Sequence, residues 1–105
     1  DILIRYEFDK MTKKFVEELF NSTIKFSDDL DKLIESSLNN WTVDRLNVID
    51  RLIMQMSLCE MIHLKYYDIS HKVTISSAIE NAKKFSSEDS TSFVNGVLDS
   101  IYKEL

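Results

Sequence analysis

Proline is absent from this chain and glycine occurs once, at Gly96. One glycine cannot build a glycine-rich phosphate loop, and no nucleophile elbow or HExxH is present, so the usual short signatures of catalysis are missing. No two carboxylates have a spacing that makes them an acid/base pair. Cysteine also occurs once, at Cys59, which excludes an intramolecular disulfide. Neither a signal peptide nor an uncharged run long enough to cross a bilayer is found, so a reducing, cytoplasmic setting without a membrane is the expectation. Positive charge is scarce too. Thirteen Lys and Arg stand against 18 Asp and Glu, a net charge of −5, which argues against non-specific nucleic-acid binding by the surface as a whole. Any RNA site has to be a local patch.

What is present is helical periodicity on an ordinary globular composition: 44% hydrophobic and 30% charged residues in 105 positions suit one domain with one core. Phe8, Met11, Phe15, Leu19 and Phe20 step by three or four, with Val16 and Ile24 beside them, and predict an amphipathic helix from Phe8 to Ile24. Ile2 to Tyr6 could alternate as a strand, but no second strand exists to pair with it, so it reads as a frayed or extended entry to that helix. Ser27 before Asp28 and Asp29 reads as a cap with first-turn acids, opening a helix through Leu30, Leu33, Ile34 and Leu38 that Asn39-Asn40-Trp41 ends.

Asn47 caps the longest apolar segment, Val48 to Leu64, whose side chains point in every direction at about 100° per residue. A helix apolar all round is a central one. Lys65 to Ser70 form a linker, and Ser70 or Thr74 caps a helix with the face Ile75, Ala78, Ile79, Ala82 and Phe85. Ser86-Ser87-Glu88-Asp89 breaks that helix and caps the last one. The expectation is an all-α domain over residues 1–105, a compact five-helix bundle around one central apolar helix.

Gly96 falls inside the last helix, where glycine costs roughly 1 kcal/mol relative to alanine. With Ser92 and Ser100 it makes a stripe of small residues at spacing four. That pattern predicts a close crossing of two helices at Gly96. Cys59 and His63 are four apart and could share a face as metal ligands, yet no third ligand has matching spacing and His71 lies across a linker. A buried thiol beside a boundary histidine is the simpler reading, so neither metal nor cofactor is expected.

Three segments carry a more specific signal. Lys72-Val73-Thr74-Ile75-Ser76-Ser77-Ala78-Ile79-Glu80-Asn81-Ala82-Lys83-Lys84-Phe85 is followed by Glu88-Asp89-Ser90 and then by Phe93-Val94-Asn95-Gly96-Val97-Leu98-Asp99. Upstream stand Asn40-Trp41, Asp44-Arg45-Leu46 and Ile49-Asp50-Arg51-Leu52-Ile53. Together these resemble the NusB family, whose members carry an AKKF helix, an acidic-serine loop and an FVNGVLD helix. The resemblance runs from about Phe15 to Leu105.

The resemblance implies a non-enzymatic, all-helical RNA-binding factor of transcription antitermination. Such a factor joins a NusE-type ribosomal protein and binds the boxA element of rRNA leader transcripts. It implies that Asp44 and Asp50 face the NusE-type partner, and that Phe85, Asp89 and Phe93 fall where the family touches RNA, with Lys72, Lys83 and Lys84 as the cations at hand. Against each stands a plainer role: Asp50 as a helix cap, Phe85 and Phe93 as core, the lysines as a solvated face. The chain departs from the family in having Ser76-Ser77 for Asn-Glu, Ser70-His71 where a proline precedes the lysine, and Gln55 for arginine. Nothing before Phe15 matches the family's arginine-rich first helix. The chain begins at Asp1, so the reading is a C-terminal part whose own affinity for boxA-like RNA is weak. Two other functions compete: a NusB-like domain attached to an rRNA cytosine methyltransferase, and a helical dimerisation module, for which a homodimer would be the active state.

Overall fold

The computed structural model describes residues 2–39 and 41–105, apart from the side chain of Phe8, so the expectations placed on Asp1, Phe8 and Asn40 lie outside the described residues. Among them five α-helices follow one another: α1 (Ile2–Lys25), α2 (Ser27–Ser36), α3 (Val48–His63), α4 (His71–Phe85) and α5 (Glu88–Lys103), with short 3-10 turns at Val43–Arg45 and Lys65–Tyr67. No strand occurs among the described residues. The all-α bundle is as the periodicity predicts.

α3 packs on each of the other four helices, as a helix apolar on every side must. Met54, Leu58 and Cys59 on α3 are fully buried with Leu30 and Ile34 from α2, Ala82 from α4, and Val94 and Leu98 from α5. Burying one such Leu or Ile side chain stabilises the fold by about 1.5–3 kcal/mol. The first turns of α3 behave otherwise: Val48, Ile49 and Leu52 are exposed, on a side that no described helix covers.

The caps follow the sequence in three places and depart from it in one. The Asn47 side chain accepts from the backbone N–H groups of Ile49 and Asp50, at 2.8 and 3.4 Å, Ser70 accepts from Lys72 at 3.2 Å, and Ser87 accepts from Ser90 at 3.2 Å. Ser27, expected to cap α2, is instead its first helical residue, and Phe26 occupies the cap position with no side-chain hydrogen bond. The reason is that the chain barely leaves the helix between α1 and α2. The N–H of Phe26 still donates to the carbonyl of Ser22 and its own carbonyl accepts from Leu30, both at 2.9 Å.

The largest departure is in α1. Ile2 to Tyr6, read as an extended entry, is helical, and every described side chain from Ile2 to Lys14 is exposed. Among its described side chains only Leu19 and Thr23 are buried, with Phe15 packed against the core edge-on to Tyr67. Met11, Val16, Phe20 and Ile24, expected on the buried face, point to solvent. α1 carries apolar residues on more than one face, and only the line through Phe15 and Leu19 meets α2 and α3. Its first half therefore projects from the body, which explains extents of 52 × 27 × 23 Å and a radius of gyration of 14.5 Å, against about 13 Å for a compact chain of this length.

A polar network fixes α2 against α3. Arg51 donates to both carboxylate oxygens of Asp31, at 3.2 and 2.7 Å, and the Gln55 amide donates to Asp31 at 2.7 Å and to Ser27 at 3.3 Å. The two hydrogen bonds hold the Arg51 guanidinium above its ordinary pKa. Gln55 is thus a tie between two helices. Glu35 closes the following loop by accepting from the Val43 N–H at 3.0 Å.

Candidate nucleic-acid and partner interface

The corner where α4 ends and α5 begins gathers most of the residues singled out for RNA. Lys83, Lys84 and Phe85 close α4, Asp89 lies in the first turn of α5, and Phe93 follows one turn later, all of them exposed. Phe85 is 62% exposed and takes no part in the core, so the plain reading of it as a core residue fails. The Lys84 ammonium stands 5.4 Å from the centre of its ring, where the negative face of the ring attracts a cation. Lys83 pairs loosely with Glu88 at 3.7 Å across the break. Lys72 is not part of this group: it lies in the first turn of α4, eleven residues from Lys83 and so about 16 Å away along the helix.

Phe93 opens onto a groove that the sequence did not suggest. At 37% exposure it lines a depression of about 480 Å³ together with Ser37, Leu38, Asn39, Trp41, Leu46, Ser92, Gly96 and Val97. Trp41 is 56% exposed along one wall. Gly96 floors the groove, and a Cβ built on it would meet nothing within 4 Å. The close helix crossing expected at Gly96 is therefore absent. Val94, Val97, Leu98 and Ile101 form the buried face of α5, and the small stripe Ser92, Gly96, Ser100 lies on its solvent side. Trp41 and Phe93 are more than fifty residues apart and belong to no common periodicity, so nothing local in the sequence joined them.

The two carboxylates expected to face a protein partner have opposite environments. Asp44, in the 3-10 turn, has a side chain 86% exposed and stands 3.6 Å from Arg51, a contact that screening makes weak. Asp50, expected to face the partner, is buried, at 6% exposure. Its Oδ2 accepts from the Ser90 hydroxyl at 2.8 Å, and the Ser90 oxygen lies 3.0 Å from the hydroxyls of both Ser86 and Ser87. Its Oδ1 is buried with no hydrogen-bond partner. The cause is position: Asp50 lies in the first turn of α3 and Ser90 in the first turn of α5, so the carboxylate is held between two helix N-termini, where negative charge is favoured.

Cys59 and His63 do not converge. Cys59 is fully buried, and burial pushes its thiol pKa up, partly offset by a hydrogen bond with Thr23. The His63 ring is stacked on Phe26 at 3.7 Å between centroids. No group of three or more His, Cys, Asp and Glu arranged to hold a metal occurs among the described residues. No described helix is long and apolar enough to cross a membrane.

Fold and surface together define an all-α domain with one central helix and an aromatic, lysine-bearing corner. The NusB family model matches residues 3–103. The chain belongs to the NusB family. It is 39% identical over 97 residues to the transcription antitermination protein NusB of Salinibacter ruber, covering 92% of this chain and 59% of that protein. To the protein of the same name from Myxococcus xanthus it is 42% identical over 89 residues, covering 84% and 61%. Among solved structures, T. maritima NusB superposes with a TM-score of 0.85 at 37% identity, over 90% of this chain and 66% of that one. The antitermination factors NusB and NusE in complex with dsRNA give a TM-score of 0.79 at 27% identity, over 88% and 66%. The chain thus spans about six tenths of the length of these curated relatives.

Proposed function

We propose that this chain supplies the C-terminal helical part of a non-enzymatic NusB-type antitermination factor, which binds boxA-like RNA of an rRNA leader together with a NusE-type ribosomal protein. The observation that carries the reading is the α4–α5 corner, where Lys83, Lys84, Phe85, Asp89 and Phe93 are all solvent-accessible on a fold of this family. A related NusB has been crystallised with NusE and double-stranded RNA, which supports both partners for this chain. An exposed aromatic stacks on any unpaired base, worth about 1–3 kcal/mol, and the adjacent ammonium groups neutralise phosphates. Asp44, exposed on the 3-10 turn, is the carboxylate that would meet a basic partner.

With a net charge of −5 and few cations at the corner, the chain alone should bind weakly and with strong salt sensitivity. Fluorescence anisotropy with a labelled boxA-like strand and a scrambled control, at two salt concentrations and with or without a NusE-type protein, tests this. Sequence-selective binding that the partner strengthens is the expected result. Equal affinity for both strands in the partner's presence would refute the reading.

A further inference from the structure

The two residues that break α4 from α5 send their side chains to one point. Phe85 ends α4 and Glu88 begins α5, so the backbone torsions of Ser86 and Ser87 set how the end of one helix stands against the start of the other. The Ser86 N–H donates to the Ala82 carbonyl at 2.9 Å, and Ser87 Oγ accepts from the Ser90 N–H at 3.2 Å. Both hydroxyl oxygens lie 3.0 Å from Ser90 Oγ, which in turn donates to Asp50 Oδ2 at 2.8 Å. Ser90 and Asp50 are each more than nine-tenths buried.

The protons give this network one direction. A serine hydroxyl has one proton and two lone pairs, and a carboxylate only accepts. The Ser90 proton goes to Asp50, so Ser86 and Ser87 both donate to Ser90 and fill its lone pairs. Without the carboxylate the Ser90 hydroxyl is free to turn, and the two hydroxyls that depend on it lose their fixed acceptor. Stability alone accounts poorly for such an arrangement. Asp50 Oδ1 is buried with no hydrogen-bond partner, and apolar side chains in place of the carboxylate and hydroxyl would join α3 to α5 as well or better. What the carboxylate supplies, and an apolar pair cannot, is a set orientation of the hydroxyls on the break between α4 and α5.

The network is threaded among the groups assigned to RNA. Ser86 follows Phe85, Ser90 follows Asp89, and Phe93 comes one helical turn after Ser90. The far end of the α4–α5 pair is held separately, by the His71 ring stacked on Tyr102 at 3.7 Å between centroids. We propose that Asp50, acting through Ser90, is a positioning residue for RNA recognition: its carboxylate orders Ser86, Ser87 and Ser90 so that Phe85, Asp89 and Phe93 are presented in one arrangement. A ring already held in place loses less freedom when a base stacks on it, which strengthens binding without a new contact. The inference rests on the function proposed above. It gives Asp50 a role inside the fold, in place of the contact with a protein partner that the family resemblance implies.

Two measurements on the 105-residue chain test the proposal, with circular dichroism to confirm that each variant is folded at the working temperature. The first needs no RNA. NMR backbone relaxation should give residues 86–89 an order parameter near the rigid value of about 0.85, and Ser90→Ala and Asp50→Ala should each lower it toward about 0.6 there while α3 keeps its own value. The second is binding of a boxA-like strand in the presence of a NusE-type protein, with a scrambled strand as control. Each variant should lose selective affinity by about fivefold or more, as when a base stack is lost. Phe85→Ala should then cost less in the Ser90→Ala background than in the wild type, because the ring it removes is already misplaced. The double variant D50A/S90A no longer buries an unpaired carboxylate, so its Tm should rise above that of Ser90→Ala while its affinity stays as low. Unchanged order parameters at 86–89, wild-type affinity in Ser90→Ala, or an affinity that recovers with Tm in the double variant would each overturn the proposal. A wild-type chain that bound both strands equally would refute the function proposed above and, with it, the role in RNA recognition; the order parameters would still decide whether the carboxylate orders the corner.

Discussion

Replacing Gly96 with alanine should make this protein more stable, although the sequence pattern around it suggests the reverse. A glycine in a helix interior costs about 0.8–1 kcal/mol relative to alanine, through the backbone freedom it loses on folding. A stripe of small residues would justify that cost if a neighbouring backbone came close. None does: the added Cβ would meet nothing within 4 Å, and no glycine has a positive φ. The full propensity gain is therefore available. An unfolding entropy of about 2.1 cal/mol/K per residue gives roughly 0.22 kcal/mol/K for a chain of this size, so about 0.8 kcal/mol raises Tm by about 4 °C. Thermal and urea unfolding followed by circular dichroism would read this directly. The longer Gly96→Leu side chain would lie over the groove beside Trp41 and Phe93 and should melt no lower than the wild type. A fall in Tm for Gly96→Ala would refute the reasoning, because it would require a neighbour that the open groove floor excludes.

Three further outcomes follow from other parts of the structure. Ser90→Ala removes the hydrogen bond to Asp50 Oδ2 and leaves a buried carboxylate with neither oxygen paired by a side chain, so it should cost about 1–3 kcal/mol in urea unfolding at neutral pH. Ser92→Ala, on the exposed face, is the control and should cost less than about 0.5 kcal/mol. Burial holds the Glu60 carboxyl above its ordinary pKa of 4.5, opposed by a hydrogen bond from Thr74, so its charged form weakens the fold once pH rises through the folded-state value. Glu60→Gln should therefore be more stable than wild type at pH 7, the difference fading as pH falls through the folded-state value and gone below 4.5. Finally, Lys84→Gln should lower the salt slope of RNA binding by about 0.7, and Phe85→Ala should weaken binding at every salt concentration by about 1–3 kcal/mol if a base stacks on the ring. An unchanged affinity in Phe85→Ala would remove that ring from the interface.

Residue order alone determined helices α2 to α5, because each is written in local terms. Apolar spacing marks α2 to α5, and the side chains of Asn47, Ser70 and Ser87 each satisfy N–H groups only two or three residues away. The centrality of α3 was legible too, since a segment apolar in every direction has to be surrounded. The family motifs pointed to the α4–α5 corner, whose residues are close in sequence and so end up close in space. Tertiary structure decided what the remaining faces meet. Phe20 and Val16 look like core on α1 but are exposed, and Gly96 looks like a crossing but lines an open groove. Asp50 looks like a surface acid but is buried against Ser90, forty residues away. In each case periodicity fixes the direction of a side chain relative to its own helix axis. Whether another helix, a serine hydroxyl or water occupies that direction depends on how separate helices pack, and no local pattern contains that information.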